Sequence, residues 1–107
     1  MAPPRKYPTI PRSLTLPGGF KVKVKLIPPK AMAKEGLKDA YAGWAHDPGI
    51  PGGIIFIDNS YPFDVRWESY VHEMHHAITD WDHFIRDTVI SPFLEELGDE
   101  YLQGEDE

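Results

Sequence analysis

The chain has 107 residues, 41% of them hydrophobic, which is enough for one modest core and too few for a second domain. Seventeen acidic against eleven basic side chains leave a formal charge of −6, which argues against nonspecific nucleic-acid binding and against an anionic membrane surface. With no cysteine there is neither a disulfide framework nor a thiolate ligand, so any metal must sit on imidazole and carboxylate.

The start, MAPPRKYPTI, lacks the apolar core of a signal peptide, and no apolar run approaches membrane-spanning length; a soluble, cytoplasmic protein is expected. Residues 1–19 carry Pro3, Pro4, Pro8, Pro11, Pro17 and the Gly18-Gly19 turn, a composition that disfavours helix and predicts an extended or partly disordered arm. Residues 20–107 form the domain. FKVKVKLIP then alternates, with Phe20, Val22, Val24 and Leu26 on one face and Lys21, Lys23 and Lys25 on the other. That is the period of a half-buried strand, its lysines the solvated face of an edge.

After Pro28-Pro29, KAMAKEGLKDA predicts a short helix interrupted by Gly36. AYAGWAH reads as a second strand and GGIIFID as a third, the latter an apolar run bounded by Gly52-Gly53 and Asp58-Asn59. From Asp64, a good N-cap, the pattern is helical through about Trp81, a shorter helical piece follows, and Ser91-Pro92 opens a last helix to about Gln103.

The first of these helices has two sides. At about 100° per residue with His72 at zero, Trp67, Tyr70, Val71, Met74, Ala77, Ile78 and Trp81 cluster nearly opposite and form a core face. His76 falls about 40° from His72, one turn on, with Glu73 flanking the pair. His72-Glu73-Met74-His75-His76 is the HExxH pattern, in which two histidines reach one ion and the glutamate addresses its water. His75 lies about 60° to the other side, where a ligand role would leave Glu73 facing away. It reads as exposed or supporting, and His46 is isolated in sequence.

Catalytic zinc has three protein ligands, and two places could supply the third. Asp82, six residues beyond His76, resembles the metzincin pattern HExxHxxGxxH/D, although Thr79 stands at its glycine position and no methionine follows Met74 for a Met-turn. Glu95 followed by Asp99, nineteen and twenty-three positions after His76, resembles the ExxxD of thermolysin-like gluzincins, and HAITDW from His76 to Trp81 resembles their HAVTDY segment. This resemblance implies Glu95 as third zinc ligand and Asp99 as the residue that orients a ligating histidine; Glu96 is the neighbouring alternative.

The order strand, short helix, two strands, HExxH helix and glutamate helix resembles the minimal zincins of bacteriophages and mobile elements. An α+β fold is therefore expected, a small mixed sheet of about three strands packed on an active-site helix and a C-terminal ligand helix. The resemblance also implies that Gly53, Ile54, Ile55, Phe56 and Ile57 form an edge strand that receives the backbone of a peptide or protein substrate. The expected activity is zinc-dependent peptide-bond hydrolysis with Glu73 as general base. The alternative is a noncatalytic protein-interaction module stapled by zinc. Neither reading involves nucleic acid or membrane.

Overall fold

A computed structural model describes residues 8–97. The fold is α+β. Its elements in chain order are strands β1 (Ser13–Leu16) and β2 (Phe20–Ile27), helix α1 (Pro29–Lys34), strands β3 (Ala42–Ala45) and β4 (Gly53–Asp58), and helix α2 (Phe63–Ile85). The strands make one mixed sheet in the order β1-β2-β4-β3, with β2 parallel to β4 and the other two pairings antiparallel.

Four strands form where three were expected, because SLTL, inside the proline-rich arm, pairs with the start of β2. The connection is tight: Gly18 and Gly19 take φ of 98° and 87°, backbone that only glycine enters at little cost, and the Gly19 amide bonds the Leu16 carbonyl at 3.1 Å. The resulting hairpin displaces β2 from the edge, although Lys21, Lys23 and Lys25 still face solvent.

Side-chain parity divides the sheet into two faces. Val22, Val24, Ile55 and Ile57 point to α2 and meet Tyr70, Met74 and Ala77 there, with Ala42 and Trp44 packed alongside. Ile55 and Ile57 are fully buried. The even-numbered members of β4 face the other way, towards α1, and Phe56 and Asp58 are buried too. A strand buried on both faces carries an unbroken apolar run, which is what GIIFID is.

GIIFID is accordingly central. β4 is hydrogen-bonded to β2 on one side and to β3 on the other, so Gly53 to Ile57 have no free edge and cannot receive a peptide strand. The free edges belong to β1 and β3.

α2 begins at Phe63 behind Pro62, and Asp64, expected as the cap, sits in the first turn. Two anchors tie its far end to the hairpin: the Trp81 indole donates to the Pro17 carbonyl at 2.8 Å, and Phe84 meets Phe20 edge-on at 5.3 Å. Of the expected core face, Tyr70, Met74 and Ala77 are buried, while Val71 and Ile78 are 41% and 45% exposed. These two lie at the margin of the stripe that the sheet covers.

The expected break after Trp81 does not occur. α2 passes through a π-helical turn at Arg86–Ile90 and continues as helix over 91–97, so that 63–97 is one rod. Nothing in DHFIRDTVI is a glycine or proline to stop it. The wide turn lies just where the ring of Pro92 would crowd the carbonyl four residues back, at Thr88, and it absorbs a proline inside a helix. No helix among the described residues is long and apolar enough to cross a membrane.

Candidate metal site and groove

His72 and His76 stand on the face of α2 turned away from the sheet, and both are exposed. Their Nε2 atoms are 3.2 Å apart, with the rings nearly perpendicular. Two imidazole nitrogens held by one tetrahedral zinc at about 2.05 Å each stand about 3.3 Å apart. The separation of the pair matches that spacing. The contact is an N–H···N hydrogen bond between the two rings.

Beside His72, an open groove of about 750 Å³ runs between α2 and the β3 edge. Its lining comprises Ala40, Tyr41 and Ala42 from the β3 side, Tyr61 from the loop before α2, and Val65, Glu68, Ser69, His72 and Glu73 from the helix. These five helical residues span only about 140° of the wheel. One helix face thus supplies both the first histidine and the carboxylate.

Glu73 is half-buried in this wall and makes no hydrogen bond or ion pair among the described residues. At the groove's end Tyr41 and Tyr61 contact each other, ring centroids 4.6 Å apart. β3 pairs only with β4, so its outer backbone groups are open on the groove side.

The proposed third ligands do not join the histidines. Glu95 and Glu96 are exposed on the continuation of the same rod, and nineteen residues at 1.5 Å rise carry Glu95 about 28 Å along the axis from His76. The gluzincin arrangement needs a chain that turns back, and here the chain runs straight. Asp82 sits nearer but is engaged by Arg86 at 3.0 Å on the exposed side of the last turn. Asp99 lies outside the described residues. Among the described residues no three His, Asp or Glu side chains gather closely enough to enclose an ion.

Other histidines are accounted for separately. His75 is exposed, its ring 6.4 Å from that of His76, and His46 stacks on Trp44 with ring centroids 3.7 Å apart. Trp44 in turn donates to the Gly52 carbonyl at 2.9 Å. Tyr41, Tyr61 and Glu68 escape a reading of the sequence. Only Glu68 carries a local signal, one turn before His72; the tyrosines reach the groove through tertiary packing. No family model, curated protein or solved structure matches the chain.

Proposed function

We propose that this protein is a zinc-dependent peptide hydrolase in which His72 and His76 hold the ion, Glu73 is the general base, and the free edge of β3 takes the substrate backbone. The observation that carries the reading is the 3.2 Å separation of the two Nε2 atoms next to a groove that Glu73 lines.

Zinc, when bound, supplies a Lewis acid for the scissile carbonyl and acidifies water at the site. The chain's own residues do the rest. Glu73 removes a proton from the attacking water and delivers it to the leaving amide nitrogen, a role suited to a carboxylate with no competing partner. An extended peptide adds to β3 by main-chain hydrogen bonds, which hold it alongside His72 and Glu73 irrespective of its sequence. Tyr41 and Tyr61 offer an aromatic wall for one of its side chains.

The competing reading, a zinc staple that holds a small fold together, is disfavoured by where the histidines sit. A staple joins separate elements, whereas both imidazoles belong to one helix and face away from the core. An ion there cross-links nothing. The deciding experiment is digestion of a peptide library by zinc-loaded protein, wild type against Glu73→Gln. Cleavage by the wild type alone, with equal zinc content in both, supports the hydrolase; zinc retention in His72→Ala, or no cleavage by the wild type, defeats it.

A further inference from the structure

The helical rod carries a second feature unrelated to the histidines. Val71, Ile78, Ile90, Phe93, Leu94 and Leu97 are between 41% and 57% exposed, an unusual density of large apolar side chains on one solvent-facing element. With Val71 at zero and about 100° per residue, Ile78 lies at about −20°, and in an uninterrupted α-helix the last four would drift to about 40–140°. The π turn at Arg86–Ile90 changes that. One inserted residue sets everything after it back by about 100°, which returns Ile90, Phe93, Leu94 and Leu97 to a band between about −60° and 40°. The six side chains thus form one straight stripe from Val71 to Leu97.

We infer that two copies of this chain associate antiparallel through this stripe, each arm of residues 86–97 lying on the α2 of the other copy. Three observations select a second copy as the occupant. The spacing is self-complementary: Val71 to Ile78 and Ile90 to Leu97 are both seven residues, so that with the two-fold axis near Phe84, Val71 meets Leu97 of the second copy where Ile78 meets its Ile90. The charges match in the same register. Asp82 and Arg86, paired at 3.0 Å within the chain, come opposite Arg86 and Asp82 of the second copy and close a four-charge cluster at the axis.

The area is sufficient as well. At their observed exposures, the six side chains offer roughly 500 Å² per copy, so that burying them fully removes about 1,000 Å² for the pair before flanking polar stems are counted, the lower threshold for a specific interface. Every residue of the arm, 86–97, is also exposed against the described part of its own domain. The chain's radius of gyration is 18.9 Å against about 13 Å for a compact domain of this length, and its long dimension is 64 Å. Trp81 to Ile90 contains no glycine, proline or asparagine at which the arm could fold back. His72, at about 100° on the same wheel, is off the stripe, so association leaves the groove open.

The chain has no cysteine, which makes cross-linking clean. Val71→Cys/Leu97→Cys, mildly oxidised at native pH, should run as a disulfide-linked dimer, while either single variant stays monomeric under the same conditions. Sedimentation equilibrium of the wild type should give a monomer–dimer isotherm, and Ile90→Asp/Leu97→Asp should give a monomer with unchanged helical circular dichroism. An intrachain disulfide in the double variant would mean the arm folds back; equally fast cross-linking of Leu97→Cys alone would mean parallel pairing. Either result, or a monomeric wild type at every concentration, overturns the inference.

Discussion

Replacing Glu73 by glutamine separates the roles of the candidate site, because the structure gives the carboxylate nothing to do except face the groove. Among the described residues it has no hydrogen bond or ion pair to lose, and glutamine preserves its shape. Stability should therefore change by less than about 0.5 kcal/mol, the scale of a surface substitution. Zinc binding should also persist. At zinc one hundred times above Kd, a native-state ligand adds about 2.7 kcal/mol, which for a domain of this size raises Tm by roughly 10–20 °C. Thermal scans with and without zinc should show the same rise in wild type and variant. Peptidase activity should fall at least about a hundredfold, some 2.7 kcal/mol in barrier height, as expected for a missing general base. Retained cleavage with an unchanged zinc-induced shift would refute Glu73 as the base.

His72→Ala should abolish the zinc-dependent rise in Tm, since a single imidazole remains; a persisting rise places the ion elsewhere. In dilute, monomeric protein Glu95→Ala and Glu96→Ala should leave zinc affinity in calorimetric titration unchanged, because both lie far along the rod from His76 of the same chain, and a large loss there would show that the arm reaches back. Gly53 takes φ of 112°, and a Cβ there would run into the Ala45 carbonyl oxygen, whereas Gly49, with φ of 81°, has open space. Urea unfolding should therefore show about 1 kcal/mol lost in Gly49→Ala and at least twice that in Gly53→Ala. Burial pushes the Tyr70 phenol above its ordinary value of 10.0. The unfolded chain then releases this proton first as pH rises, so the Tyr70 contribution is complete below pH 10 and is lost above it, at up to about 1.4 kcal/mol per pH unit. Tyr70→Phe should flatten that part of the alkaline stability profile.

The local placement of the candidate residues is legible because HExxH is a helical pattern and α2 is a helix. The wheel that places His76 one turn from His72 also places Glu73, Ser69 and Val65 on the groove side. Everything that depended on where the chain turns was less visible. Four apolar residues in a row at Ile54 to Ile57 mark a strand buried on both faces, and burial on both faces goes with a central position. The resemblance to minimal zincins implies an edge there, which that burial pattern opposes. The hairpin within the proline-rich arm was hidden by composition: Pro11 and Pro17 flank SLTL without entering it. Pro92 misled in the opposite sense. A proline at a first helical position and a proline accommodated by a wide turn look alike in sequence, and only the hydrogen-bond pattern at Arg86–Ile90 tells them apart.

The straightness of the rod links the missing third ligand to the apolar stripe. A hairpin that turned near Phe84 would set Ile78 against Ile90 and Val71 against Leu97 of the same chain, and would carry Glu95 to the level of Glu73. The antiparallel dimer makes the same apolar pairings between chains, since a hairpin and a two-fold axis at one residue obey the same register. Nearly equal contacts leave the choice to the connection. Turning back within one chain requires breaking helical hydrogen bonds across Asp82 to Asp87, a stretch with no glycine, proline or asparagine and with an Arg86 to Asp82 bond that holds the helix closed. Continuing requires only the wide turn at Arg86–Ile90. The segment that resembles a ligand helix is therefore kept from its own histidines by the absence of a turn, and its apolar side is left for another copy.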